Sequence, residues 1–272
     1  MEVDVGRYDN ITLDQYHNDC LGWSKSALDK VHRSISHWLK EKDKPSEQTP
    51  TLLFGSAFHC SILTPNQFNE EFCISPNFDR RTKAGKEDYA NFITENRNKQ
   101  IIGESDYNAI LGMQKSVFNH PFAGVLFSAG DAEHSFFWKD KATGLLCKCR
   151  PDYLRHDNTV VELKTCVDAS YYAFRAAVAK YRYYVQGAFF CDGISAVLSE
   201  DINEFIIVAV EKTEPYAVAV YRLGPDELKC GRIEYESDLR KIQEYESKPK
   251  NDRWPGYPDY IQDMFLPSYL YE

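Results

Sequence analysis

Asp152, Glu162 and Lys164 are the residues of this 272-residue chain whose types and spacing could do chemistry together. They lie in Cys149-Arg-Pro-Asp-Tyr-Leu154 and Val160-Val-Glu-Leu-Lys-Thr165, two runs separated by the short polar stretch Arg155-His-Asp-Asn158. Val160, Val161 and Leu163 favour a strand and the polar stretch has turn chemistry, so the segment reads as a β-hairpin. With the turn centred near Asp157, Asp152 lies opposite Glu162, and directly opposed side chains have Cβ atoms about 4.5–5.5 Å apart. Glu162 and Lys164 are two apart on a strand and share a face. Two carboxylates and one ammonium then converge. Neighbouring acids repel unless a cation lies between them, and a divalent metal is the usual one. The lysine adds positive charge where a phosphoryl oxyanion or an attacking hydroxide would sit. An isolated Glu-x-Lys is more often a solvated surface pair. The Arg-Pro-Asp before it, and the company it keeps elsewhere in the chain, carry the chemical reading.

The run RPDYL…VVELKT resembles the catalytic motif of the PD-(D/E)xK nuclease superfamily. Three more segments, LGWSKSALDKVHRSISHWLKE near the start, GSAFHCSIL at 55–63 and YRYYVQGAFFCDGI at 181–194, are similar to one branch of it. That branch is the RecE-type exonucleases (exodeoxyribonuclease VIII and its phage and prophage relatives), related to the RecB and lambda exonuclease nuclease domains. FDRRTKAGKEDY in the middle of the chain has the same character. Together these segments span most of the chain in the expected order.

The resemblance implies an α/β fold, a PD-(D/E)xK (restriction-endonuclease-like) core with a central mixed β-sheet flanked by helices. It implies that Asp152 and Glu162 hold one or two Mg²⁺ ions, aided by His59 and the backbone carbonyl of Leu163. Imidazole suits Mn²⁺ better than Mg²⁺, so Mn²⁺ is expected to be accepted as well. Lys164 would help to generate or position the attacking hydroxide, and Gln186 would orient a water or a DNA phosphate. Members of the family often carry Q-x-x-x-Y, whereas here Gln186 is followed by Phe190, so no polar role is expected at 190. The implied reaction is 5′-to-3′ digestion of linear double-stranded DNA to 5′-phosphates, leaving 3′ single strands for recombination. A homo-oligomeric ring, trimeric or tetrameric, and a single-strand DNA annealing protein (RecT-like) are the partners it implies. The competing readings are an endonuclease or RecB-like module, and a catalytically inactive DNA-end-binding scaffold.

Size and composition fit this. The chain is long enough for a substantial core, and 43% hydrophobic with 27% charged residues is ordinary for a soluble globular protein. One domain is expected over 1–272, with an N-terminal segment at 1–50, the core at 51–250 and an aromatic tail at 251–272. No apolar run is long enough to span a membrane, and MEVDVGRYDN has neither a basic nor an apolar leader character, so a cytoplasmic location is expected. Eight scattered cysteines include no C-x-x-C, which argues for reduced thiols rather than a zinc knuckle. They also lack the tight C-terminal trio that holds an iron–sulfur cluster in some nucleases of the superfamily. The net charge of −9 argues against non-specific coating of DNA. Enclosure by a ring would replace part of the missing electrostatic grip.

The elements that must position these residues are legible from periodicity. A helix is predicted over about 26–41, capped by Ser24 or Ser26, after an irregular 1–22 in which Tyr8, Ile11, Tyr16 and Leu21 could pack. Its free N–H groups could hold a phosphate. By resemblance to lambda-type exonucleases, Ser24 and Ser26, with Lys25 nearby, are candidates for the 5′-phosphate. A charged connection at 41–50 leads to a second helix at 51–63 that carries His59. Arg80, Arg81, Lys83 and Lys86 crowd a polar stretch that is either a solvated loop or a set of backbone-phosphate contacts. Further helices are predicted at 85–99, 104–118, 168–179, 184–194 and 225–247. Strands are predicted at 133–138, 145–154, 159–165, 204–210 and 216–223.

Overall fold

The computed structural model of the protein describes residues 3–42, 44, 48–249 and 252–266. Part of the 41–50 connection and the last six residues of the aromatic tail lie outside the described residues. In chain order, β1 (Gly6–Tyr8) and a π-helical turn (Gln15–Asp19) precede α1 (Lys25–Arg33), α2 (Ile35–Glu41) and α3 (Pro50–Leu63). Then come α4 (Phe68–Glu71), β2 (Phe72–Ser75), α5 (Lys83–Glu95), β3 (Gln100–Gly103), α6 (Glu104–Asn119) and α7 (Ala123–Leu126). The strands β4 (Gly130–Ala132), β5 (Ser135–Lys139), β6 (Leu146–Cys149), β7 (Tyr153–Arg155) and β8 (Thr159–Cys166) follow. The chain closes with α8 (Tyr171–Lys180), α9 (Tyr183–Leu198), β9 (Glu204–Glu211), β10 (Val218–Leu223) and α10 (Pro225–Ser247).

The central sheet has the order β10-β9-β8-β7-β4. It is mixed: β8 and β9 run parallel, while the other pairs are antiparallel. The parallel pair requires a crossover, and α8 and α9 supply it. A three-stranded sheet, β1-β5-β6, and a parallel pair, β2-β3, complete the strands.

Alternation along β8 and β9 sends side chains into two cores. Val160, Ile207 and Ala209 pack with Leu28 of α1, Phe189 of α9 and Leu239 of α10. Val161, Leu163, Val208 and Val210 pack with Phe58 of α3 and Ile110 and Met113 of α6. Coverage of both faces explains why these strands read as continuous apolar runs broken only by Glu162 and Lys164. This is the α/β fold with a helix-flanked mixed sheet that the sequence predicts.

Several boundaries differ from the sequence reading. The helix predicted over 26–41 is two, because Ser34 is extended (φ −179°, ψ 158°) and its hydroxyl caps α2 by accepting from His37 N. The strand predicted over 145–154 is also two, and they belong to different sheets. Arg150-Pro-Asp152 forms the corner between them: β6 pairs with β5, whereas β7 pairs with β8 and β4. The N-terminal 1–22 is not wholly irregular, since β1 pairs with β5. Ile11 and Tyr16 are buried as expected, but Leu21 faces solvent. Among the described residues, no helix is long and apolar enough to cross a membrane.

Candidate active site

The hairpin register settles how the acids meet. Tyr153 pairs with Val161 and Leu154 with Val160, so the turn centres on Asp157 and the next pair outward is Asp152 with Glu162. Asn158 takes the left-handed conformation at φ 65° that closes the turn. Asp152 sits just before β7, at the corner where the chain changes sheets.

The geometry there is closely tied. Lys164 Nζ donates to Glu162 Oε2 at 2.6 Å, and Gln186 Nε2 donates to the same oxygen at 2.6 Å. Glu162 Oε1 accepts from the Asp152 N–H at 3.1 Å, while Asp152 Oδ2 accepts from the Leu163 N–H at 2.7 Å. On the other side, His59 Nδ1 lies 3.6 Å from Asp152 Oδ1, outside hydrogen-bonding range but close enough to interact by charge. His59 comes from α3, beneath one face of the sheet, and Gln186 from α9, above the other. Asp152 reaches between the layers.

Burial and proximity set the protonation states. Glu162 is only 1% exposed. Burial, then the neighbouring Asp152 charge, push its carboxyl up to about 7 despite Lys164. Burial also acts on Asp152, but His59, Lys164 and the Leu163 N–H outweigh it and hold that carboxyl below its usual value. Burial works against charge on Lys164, yet Glu162 and Asp152 together raise its pKa and keep it an ammonium. His59 is raised as well, because Asp152 overcomes its desolvation. The site therefore holds one firmly ionised acid and one that is reluctant to ionise until more positive charge arrives.

Glu133, read from the sequence only as the start of a strand, and Arg150, read only as part of Arg-Pro-Asp, belong to this neighbourhood. Glu133 donates its N–H to the Asp152 carbonyl at 3.2 Å and has a left-handed backbone, φ 59°. Burial and then the Asp152 charge raise its carboxyl. Arg150 Nε donates to Glu133 Oε2 at 2.7 Å, and its Nη1 donates to Ile11 O and Ser135 Oγ at 2.8 Å. An acid two residues before the buried aromatic strand Ser135–Lys139 was the available signal for Glu133.

The other predicted residues are distributed differently. Ser24 caps α1, accepting from Ala27 N at 3.4 Å, and its hydroxyl lies 3.0 Å from that of Ser26. Lys25 Nζ donates to the Tyr181 carbonyl and pairs with Asp29, both at 2.7 Å, so two of its three protons are used inside the fold. Burial lowers its pKa, and Lys164 is one of the charges that act on it. Arg80 lies over the Tyr89 ring (4.8 Å), Arg81 pairs with Asp79, and Lys83 lies 3.8 Å from Glu87. These contacts, and the packing of Phe78 on Tyr89 and Phe92, fall within one self-packed stretch formed by α5 and its lead-in loop. Lys86 is exposed on the same helix. The structure does not bring the four basic residues into the Asp152–Glu162 cluster. Phe190, for which no polar role was expected, is buried in the core.

The donor set suits a hard divalent cation: two carboxylates and an imidazole, with Asp152 Oδ1 turned toward His59 rather than used by a backbone donor. Burial and the Asp152 charge push the Glu162 carboxyl up to about 7 even with Lys164 beside it, so a further cation there would favour its ionised form. Among the described residues, no three His, Cys, Asp or Glu side chains already close on one point as a ready-made cluster.

Comparison with known proteins gives the family. Residues 24–263 match the family model described as a PDDEXK-like domain of unknown function (DUF3799). The chain belongs to that family, and through it to the PD-(D/E)xK nuclease superfamily. A Eubacterium rectale protein described as a "putative exonuclease" has a similar crystal structure, with TM-score 0.64 and 12% identity over 98% of this chain and 97% of that one. At that identity the likeness speaks to fold alone. The structure of SSO0001 aligns at TM-score 0.31 and 16% identity, over 80% of this chain and 85% of the other. A search of the curated proteins found no match.

Proposed function

We propose that this protein is a divalent-metal-dependent exodeoxyribonuclease of the RecE type. It would digest linear double-stranded DNA from the 5′ end, release 5′-phosphates and leave 3′ single strands for homologous recombination. The observation that carries the reading is the convergence of Asp152, Glu162 and Lys164 at one buried point, with Gln186 bonded to Glu162. A scaffold has no use for two desolvated acids held together, because uncompensated buried charge is costly.

In this reading Asp152, Glu162 and His59, with the Leu163 carbonyl, hold Mg²⁺, and Mn²⁺ is also accepted. The cation would neutralise charge on the scissile phosphate and acidify a bound water. Lys164 remains protonated and places positive charge beside the developing oxyanion. Gln186 fixes the orientation of Glu162 through Oε2, and Leu163 N–H fixes that of Asp152. Ser24 and Ser26 at the start of α1 face the phosphate of the DNA end, while the exposed Arg80, Arg81, Lys83 and Lys86 contact the backbone further away. We further propose a single domain over 1–272, a cytoplasmic location, a trimeric or tetrameric ring and a single-strand annealing partner. The match of residues 24–263 to the PDDEXK-like family supports the reaction class.

The test is digestion of linear duplex labelled at the 5′ or the 3′ end, with Mg²⁺, Mn²⁺ or EDTA, beside a sealed circle. Early release of the 5′ label, only with metal and only from linear DNA, is the expected result. Cutting of the circle would establish an endonuclease. No cutting with either metal would leave an inactive DNA-end binder as the reading.

A further inference from the structure

The turn between α8 and α9 is held more firmly than a surface turn requires. Arg182, with a left-handed backbone (φ 54°), bonds Asp29 at 2.9 Å, Glu234 at 2.9 Å and Asp238 at 2.8 Å. The preceding carbonyl, of Tyr181, is taken by the Lys25 ammonium. A non-glycine residue in that conformation persists where the surroundings over-determine it, and such positions gather at functional sites.

What the clamp leaves free is an aromatic surface. The Tyr181 side chain is 51% exposed and its ring stacks on Tyr183, with centroids 5.7 Å apart and planes at 26°. Lys180 Nζ lies 5.3 Å from the Tyr181 ring centre, and Lys164 Nζ lies 5.4 Å from that of Tyr183. Lys180, Tyr181, Arg182 and Tyr183, with Lys25 and Asp29, line an open cleft of about 380 Å³. Tyr183 thus joins the cleft to the lysine of the candidate active site.

Consecutive aromatic faces, each beside an ammonium, are the chemistry that receives a nucleotide: the base stacks and the phosphate meets the cation. A base inside a duplex is already stacked on both sides, so the fitting ligand is a nucleotide that has left its pair. We propose that this cleft seats the unpaired terminal nucleotide of a DNA end, with Tyr181 stacked on its base and Lys180 beside its phosphate. This deepens the nuclease reading and rests on it.

Tyr181→Ala and Tyr181→Phe are compared with the unaltered chain on linear duplex carrying 2-aminopurine as the 5′-terminal base. KM is measured by digestion, and quenching of the base is measured in an Asp152→Asn background that keeps the DNA uncut. Removing one stacking partner is expected to raise KM about tenfold and abolish the quenching, and phenylalanine is expected to restore both. An unchanged Tm in Tyr181→Ala verifies the fold. Tyr181→Ala keeping both KM and quenching within about twofold of the unaltered chain overturns the proposal, since a stacked base contributes more than that. If the unaltered chain cuts no DNA, the nuclease reading fails, and the quenching alone decides whether the cleft takes a base.

Discussion

The N–H of Asp152 donates to a Glu162 carboxylate oxygen at 3.1 Å, and the residue after Glu162 returns the bond, Leu163 N–H to Asp152 Oδ2 at 2.7 Å. Each acid is thereby aimed by the main chain of the strand that carries the other. Rotamer freedom is removed from both carboxylates before any ligand arrives, which is the preorganisation that electrostatic catalysis depends on.

Loss of either charge at the centre of this arrangement should stop the reaction. Lys164→Ala is expected to lower kcat by about 10²- to 10³-fold, the range seen when one oxyanion-stabilising group is removed. Glu162→Ala is expected to leave no measurable cleavage. Both variants should retain a normal circular dichroism spectrum, and activity surviving in both would remove these residues from the mechanism.

Gln186 acts on Glu162 rather than on the cation. Gln186→Ala should weaken Mg²⁺ binding by about 10- to 100-fold, as for other groups that orient a metal ligand. Glutamate at this position would add a like charge 2.6 Å from Glu162 Oε2 and should be worse than alanine. Calorimetric titration of Mg²⁺ into the three proteins orders them; equal affinities would show that Gln186 only packs.

Metal affinity should depend on pH. With its carboxyl near 7, Glu162 is protonated in an increasing fraction of the metal-free protein below that value. A cation must then displace the proton, so binding weakens by up to about tenfold per unit of falling pH and levels off above about 7. His59, also raised, works in the same direction. Mg²⁺ titrations at pH 6, 7 and 8 measure this, and a flat profile would exclude Glu162 as a ligand.

Gly231 lets α10 approach α9. A Cβ there would stand 2.2 Å from the Tyr184 carbonyl oxygen, a backbone atom that cannot swing aside. Gly231→Ala should therefore cost about 1–3 kcal/mol, the range for overpacking. Urea denaturation is the measurement, and a midpoint equal to that of the unaltered chain would mean that the helices separate freely.

The site was legible where local rules govern it. Turn chemistry at 155–158 and strand formers on either side were enough to place Asp152 opposite Glu162 and Lys164 beside it, because β-register follows from the turn. The split at Ser34 was hidden because apolar periodicity continues across it, from Leu28 and Val31 to Ile35. Within residues 145–154 only Pro151, which cannot donate to a ladder, hinted at a break, and that β6 and β7 enter different sheets is a tertiary choice made at Arg150-Pro-Asp152. Glu133 and Arg182 escaped for the same reason. Their importance comes from partners that are distant in sequence, and Arg182 reaches residues as far apart as Asp29 and Asp238.

The parallel pairing of β8 with β9 puts α8 and α9 between the two strands, and β8 has to be roofed by α9 and floored by α3 before Gln186 and His59 reach the acids. A ribosome-bound chain that has emerged only as far as the hairpin carries Asp152, Glu162 and Lys164 but not the helix that brings Gln186. The growing polypeptide thus acquires its constellation only after the hairpin is made, when the crossover closes.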